Sequence, residues 1–130
     1  MKARSGLEGL YEWLLGWQIR HVPLHIAIIQ DGNRRFARSQ GLEVGQGHRL
    51  GADTTEKVLD WAAKMGVKYI TLYSFSTENF RRDSAEVEGL FSLFKEKFTA
   101  IMSDERVMKY SIRVQMVGDR SRLPDDLREA

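Results

Sequence analysis

Cysteine is absent from the 130 residues, which excludes disulfides, zinc–thiolate sites and a thiol nucleophile. That absence fits a reducing compartment. No apolar run approaches the roughly 18 residues of a transmembrane helix. The N-terminus lacks the apolar core and small-residue cleavage site of a signal peptide. An excess of one charge is also lacking. Lys and Arg number 20 against 18 Asp and Glu, and a net +2 is too small to imply nucleic acid as a partner. There is no internal repeat and no low-complexity segment. The G-x-x-x-x-G-K of a P-loop and the G-x-G-x-x-G of a dinucleotide fold are both missing. The length admits one ordinary domain and not two.

The arginines that are present are clustered. Arg34, Arg35 and Arg38 crowd one short segment, and Arg81 and Arg82 crowd another. Concentrated guanidinium on a near-neutral chain points to a discrete anionic ligand. The competing reading is a solvated helix face.

Hydrophobic periodicity organises the rest. In SGLEGLYEWLLGWQIR, residues 5–20, Leu7, Leu10, Tyr11, Leu14 and Leu15 fall at helical spacing, with Trp13 and Trp17 near the other face. This amphipathic helix, taken as a segment of its own over residues 1–22, packs on its own domain or rests on a membrane or partner. Pro23 stops it. His25–Gln30 reads as a parallel strand buried on both faces. Asn33 suits an N-cap for a helix to about Gln40, closed by Gly41. The segment 45–66 predicts a second helix with Val58, Leu59, Ala62 and Met65 as its core stripe and Gly66 as its stop. VKYITLYSF, residues 67–75, is a second buried strand, and STENFRR is a polar loop. Asp83 and Glu86 have the spacing of a capping box for a third helix carrying Val87, Leu90, Phe91, Phe94 and Phe98. SIRVQMVG, residues 111–118, alternates like a third strand. Leu123-Pro124-Asp125-Asp126 opens a further helix, from which we expect the chain to be the front part of a longer protein. Helices between strands argue for an α/β fold with a parallel sheet flanked by helices.

A parallel α/β sheet binds ligands beyond the carboxyl ends of its strands. HIAIIQDGNRRFAR, residues 25–38, places Asp31 at such an end, followed by a permissive Gly32 and a helix start at Asn33. Helix N-termini attract phosphate, and Arg35 and Arg38 share a face. An acid beside a phosphate is contradictory unless a divalent cation joins them, and Mg²⁺ suits a carboxylate together with a diphosphate. The alternative is a capped helix with ordinary surface arginines. A second loop, SFSTENFRR, follows the second strand and adds Ser76, Thr77, Asn79, Arg81 and Arg82, with Glu78 as a candidate acid. His48, in GQGHR, is a third candidate, although a lone histidine is usually structural.

HIAIIQDGNRRFAR, then GHRLGA, then YSFSTENFRR, in this order and at these intervals, closely resemble the cis-prenyltransferases, which are the undecaprenyl and dehydrodolichyl diphosphate synthases. The similarity runs from about His25 to the last residue. It implies a cis-prenyltransferase-type fold whose remainder lies beyond Ala130, so residues 23–130 form the N-terminal part of one catalytic domain. It implies elongation of farnesyl or geranylgeranyl diphosphate by isopentenyl diphosphate with Mg²⁺, each step creating a Z double bond. By this resemblance Asp31 is the metal-binding and catalytic aspartate. Gly32, Asn33, Arg34, Arg35, Phe36 and His48 hold the allylic diphosphate. Ser76, Thr77, Glu78, Phe80 and Arg82 lie near isopentenyl diphosphate, and Asn79 is assigned to proton acceptance, although an amide is a poor base.

The sequence departs from the family pattern at several points. Gln30 replaces a usual Met, Phe36 and Phe80 stand where Trp is common, Asp83 replaces a Pro, and Val44 falls where an Arg is frequent. The third helix's phenylalanines are either ordinary core or lining for a growing lipid. The resemblance further implies a homodimer for the complete protein, a cytoplasmic location with peripheral membrane contact, and inactivity of these residues alone. A non-catalytic partner subunit with the same fold is the alternative function, and a generic phosphate-binding module is a third.

Overall fold

In a computed structural model, residue 9 and residues 21–128 are described. The amphipathic helix expected over residues 5–20 lies outside the described residues apart from Gly9. The elements run β1 (His25–Ile29), α1 (Asn33–Ser39), α2 (Val44–Met65), β2 (Tyr69–Tyr73), a 3₁₀ turn (Thr77–Arg81), α3 (Ser84–Met102), α4 (Glu105–Lys109) and α5 (Asp125–Arg128). The chain divides into two compact units. Among the described residues, the first holds those up to Gly32 together with Leu50–Ser74, and the second holds Asn33–Arg49 together with those from Phe75 to Arg128.

The first unit contains the sheet. β1 and β2 pair in parallel, with His25 opposite Tyr69 and Ile29 opposite Tyr73. The ladder is extended at one end by the Gln30 N–H donating to the Tyr73 carbonyl (3.2 Å). The His25 Nε2 and Thr71 Oγ1 pair across it at 2.8 Å. Gln30, the departure from the family's usual Met, gives its side-chain N–H to Thr55 Oγ1 at 2.6 Å, which ties the end of β1 to α2. Gly66 ends α2 with a φ of +87°, open to glycine at no steric cost, and the Val67 N–H returns to the Ala62 carbonyl.

Two expectations for this unit are corrected. The strands are not buried on both faces; they alternate between half-buried and exposed positions, and Ile29 is 72% exposed. A face becomes buried only when another layer covers it, and a run of isoleucines does not supply that layer. On α2 only Ala62 of the expected stripe is fully buried, while Met65 is exposed.

The second unit contains α1, the start of α2, the 3₁₀ turn and α3 to α5. Gly41 (φ +65°) closes α1 as expected. Gly47 allows α1 and α2 to approach closely: a Cβ there would lie 2.5 Å from the Asn33 carbonyl oxygen and 2.7 Å from the Ala37 Cβ. Ala37 is accordingly fully buried. α3 buries Leu90 and Leu93, and Phe91 and Phe94 pack with Phe75, their ring centroids 5.2 and 6.2 Å away. The Lys95 Nζ bonds Asp126 Oδ2 at 2.6 Å, which ties α5 to α3 and holds the Asp126 carboxyl below its ordinary value. Leu127 of α5 is the most buried large side chain described.

The third strand predicted over 111–118 is not formed. Among the described residues the segment pairs with no strand, its Ser111 and Ile112 N–H groups donating back to the Met108 and Val107 carbonyls, and Ile112, Val114 and Val117 are exposed. Alternation selects which face a strand would bury, but the strand itself exists only with a partner. The capping box expected from Asp83 and Glu86 is also different. Asp83 does cap α3, accepting from the Ala85 N–H (2.9 Å), whereas Glu86 is engaged elsewhere.

Gly47→Ala is expected to destabilise the protein by about 1–3 kcal/mol, because the new methyl meets backbone oxygen rather than a movable side chain. Urea unfolding of the variant beside the parent checks it, and an unchanged midpoint would disprove the tight α1–α2 approach.

Candidate functional site

At the carboxyl end of β1, the Asp31 N–H donates to the Ile29 carbonyl and the chain turns through Gly32 at φ +94°, a conformation that strains any residue with a Cβ. The Asp31 side chain accepts from the Gly32 N–H at 2.6 Å. Asp31 is exposed to solvent. No group of three or more His, Asp or Glu side chains among the described residues could hold a metal ion by itself. The donor set at Asp31 therefore fits a cation that takes most of its oxygens from water or a diphosphate. Mg²⁺ commonly binds in this way, and a fully protein-caged metal does not.

The second unit gathers three of the predicted anion-binding residues on one carboxylate. Glu86, on the first turn of α3, is only 12% exposed at its side chain. Its Oε1 lies 3.0 Å from Nε2 of His48 on α2 and 3.1 Å from Nη1 of Arg82, which follows the 3₁₀ turn. Its Oε2 lies 3.6 Å from Nε of Arg34 on α1. Arg34 Nε is buried and makes no hydrogen bond. Glu86 thus holds that guanidinium by charge without saturating it, and the remainder of the group is open to solvent. His48 is buried, as its position behind the close Gly47 contact requires.

Motifs separated by up to 48 residues in the chain, at Arg34 and Arg82, thus converge on Glu86. By local spacing alone Glu86 is only a capping partner of Asp83. The clue to its role was the i, i+4 spacing from Arg82.

The loop 76–82 is a structured turn rather than an open loop. The Asn79 N–H donates to the Ser76 carbonyl (2.9 Å), and the Asn79 side-chain oxygen accepts from the Ser76 N–H (3.0 Å). That reciprocal pair orients the Asn79 carboxamide. Its oxygen already accepts one backbone bond, and its NH₂ supplies two further donors. Phe80 sits edge-on to Phe75 at 5.0 Å and tilted to Phe91 at 6.0 Å. Thr77 and Glu78 lie on the exposed side of the turn, where they line an open pocket together with Phe80, Arg81 and Arg122. Arg35 and Phe36 are exposed on α1, outside the Glu86 cluster. Asn33 starts α1 as expected.

Comparison with known proteins gives concordant matches. The family profile for putative undecaprenyl diphosphate synthases matches residues 29–130. A tritrans,polycis-undecaprenyl-diphosphate synthase (geranylgeranyl-diphosphate specific) of Picrophilus torridus is 50% identical over 108 residues, covering 83% of this chain and 42% of that protein. Its namesake in Methanosarcina mazei is 46% identical over 122 residues, covering 92% and 41%. Among solved structures, lavandulyl diphosphate synthase from Lavandula x intermedia, in complex with dimethylallyl diphosphate, superposes with a TM-score of 0.74 at 31% identity, covering 82% of this chain and 45% of that one. The chain spans less than half the length of these relatives.

Glu86→Ala is expected to cost about 1–3 kcal/mol, since it strips the common partner from buried His48 and from two guanidinium groups. Arg34→Ala is expected to cost less than about 1 kcal/mol, because its pairing is longer and its side chain is partly solvated. Equal losses on denaturant unfolding would show that Glu86 is not the centre of the cluster.

Proposed function

The chain belongs to the undecaprenyl diphosphate synthase family of cis-prenyltransferases, and from that premise we propose that the protein carrying it elongates an allylic prenyl diphosphate with isopentenyl diphosphate to a long polyprenyl diphosphate. Each condensation joins C4 of isopentenyl diphosphate to C1 of the allylic chain, releases the allylic diphosphate as pyrophosphate and one proton to water, and forms a Z double bond. The observation that carries this reading is the convergence of Arg34, His48 and Arg82 on Glu86, with a buried Arg34 N–H left unbonded. Guanidinium and imidazole donors held in place before the ligand arrives suit a diphosphate on which charge grows as it departs. Such donors stabilise the transition state more than the ground state, and they need no reorganisation as the bond breaks.

In this reading Arg34, His48 and Arg82 receive the allylic diphosphate, with Arg35 adding charge from the exposed face of α1. Asp31 is the carboxylate that holds Mg²⁺, which when bound supplies Lewis-acid neutralisation of the leaving diphosphate. The turn 76–81 faces the isopentenyl unit. An amide is a poor base, and the Ser76 N–H fixes the Asn79 carboxamide, so we assign Asn79 to orienting substrate or water and not to accepting the proton. The primer we favour is geranylgeranyl diphosphate over farnesyl diphosphate, since the relatives of Picrophilus torridus and Methanosarcina mazei carry that specificity in their names. Among the described residues no helix is long and apolar enough to cross a membrane. Peripheral contact with a membrane and pairing as a homodimer belong to the same proposal, as does the treatment of residues 23–130 as part of one catalytic domain.

Incubation of the full-length protein that carries this chain with labelled isopentenyl diphosphate, Mg²⁺ and each primer in turn, followed by sizing of the lipid product, tests the reading. Long Z-polyprenyl product from geranylgeranyl diphosphate is the expected result. Asp31→Ala is expected to lower product formation about a thousandfold, the equivalent of several kcal/mol of lost charge stabilisation, and chelation of divalent metal should do the same. Turnover by Asp31→Ala at the parent rate would remove Asp31 from the mechanism. No product with any primer would favour a non-catalytic partner subunit.

A further inference from the structure

Gln30 immediately precedes Asp31 and makes a hydrogen bond that the site described above does not use. Along β1, Ile26 and Ile28 are half-buried while Ala27 and Ile29 are exposed. The alternation runs on past the strand, with Gln30 half-buried and Asp31 exposed. Three bonds fix this junction. The Gln30 N–H donates to the Tyr73 carbonyl at 3.2 Å, and its side-chain NH₂ donates to Thr55 Oγ1 at 2.6 Å. The Asp31 N–H donates to the Ile29 carbonyl at 3.0 Å, which closes a three-residue turn centred on Gln30. Gln30 is therefore held by main chain and side chain together, and its backbone angles direct Asp31.

The polarity of the Thr55 contact is set by α2. The Thr55 hydroxyl donates to the Gly51 carbonyl at 2.9 Å, one turn earlier. A hydroxyl has one hydrogen, so toward Gln30 it presents only lone pairs. The group that meets it must be a donor, which turns the Gln30 NH₂ toward the helix. Methionine is close to glutamine in length but has no donor, and glutamate would set acceptor against acceptor. The neighbouring Thr54 makes the same back-bond, to the Leu50 carbonyl at 2.9 Å, but is exposed. Thr55 is half-buried on the side that Gln30 reaches.

We propose that the Gln30–Thr55 hydrogen bond is a positioning contact, which anchors the end of β1 to α2 and thereby fixes the turn that presents the Asp31 carboxylate. Gln30 and Thr55 act through Asp31 and not on the substrate. Among the described residues no group of three acids or histidines could share a cation with it. The aim of this one carboxylate then decides how protein and ligand oxygens divide the shell of the metal. The consequence for a divalent cation rests on the proposed function; the fixing of the turn does not.

Two measurements on the full-length protein that carries this chain test the contact. Amide hydrogen exchange is followed over residues 28–34, with residues 69–73 as internal reference. Binding of the Mn²⁺–pyrophosphate complex is followed by water proton relaxation. Thr55→Val and Gln30→Met are each expected to quicken exchange over 28–34 about threefold or more relative to the reference. Each is expected to weaken the Mn²⁺ complex about tenfold, the low end for a support of a metal ligand. The double variant should lose no more than either single one, because both remove the same bond. Thr55→Ser, which restores the hydroxyl, and Thr54→Val, which alters only the neighbouring back-bond, should stay within twofold of the parent.

Local quickening together with a threefold or greater loss of affinity supports the proposal, and either change without the other overturns it. Additive losses in the double variant, or a Thr55→Ser as impaired as Thr55→Val, would also overturn it. If Gln30→Met does not fold, the Thr55 pair decides by the same two readouts. Asp31→Ala separates this proposal from the function it rests on. If Asp31→Ala binds the Mn²⁺ complex as the parent does, the metal role of Asp31 fails, and local exchange alone decides whether Gln30–Thr55 fixes the turn. If Asp31→Ala loses the complex while Thr55→Val and Gln30→Met keep it, the metal role stands and the positioning contact does not.

Discussion

The Glu86 carboxylate is the contact on which the candidate site depends. Three cationic or protonatable groups from three elements meet at its two oxygens. Without a central anion, Arg34, His48 and Arg82 would repel one another when charged and would not hold a common position. With it, they are gathered at low net charge, and their remaining donors are not consumed. Arg34 illustrates this most clearly: its Nε is buried 3.6 Å from the carboxylate with no hydrogen bond made. A buried donor left without a hydrogen bond is rare in a folded chain and costs free energy. A phosphate oxygen is the type of acceptor that would relieve it.

That cluster is possible because α1 and α2 approach unusually closely. Gly47 leaves no room for a methyl beside the Asn33 carbonyl and Ala37. His48 follows directly and is buried, so the histidine is set by the backbone contact as much as by its own bond to Glu86. The 3₁₀ turn then divides two neighbouring arginines. Arg82 lies within an ion pair, and Arg81 lies on an open lining with Arg122. A tight turn changes side-chain direction between successive residues, and here it sends two like charges into different surroundings.

Asp31 belongs to a different local context, the end of a half-exposed parallel strand pair. Its neighbours supply backbone geometry rather than further carboxylates. The chemistry open to such a residue is shared coordination, in which protein and ligand oxygens complete the shell of one cation. This accords with a family whose substrates carry diphosphate.

Much of this was legible in the chain itself. The hydrophobic periods located β1, β2, α2 and α3, and the glycines at 41 and 66 marked helix ends because positive φ is cheap only there. The three motifs, read in order, identified the family and all three basic side chains that meet at Glu86. What only the tertiary structure decided was which partners these groups have. Glu86 looked like a helix cap from local spacing, yet its bonds run to residues 38 positions away at His48. Arg122 carried no motif, and its place on Phe80 follows from chain folding alone. The segment 111–118 has a strand's alternation but no strand, and the isoleucines of β1 have a core sequence but an exposed face. Local sequence sets backbone preference and side-chain chemistry; burial, pairing and ion-pair geometry are properties of what lies opposite, and that is fixed only when distant segments meet.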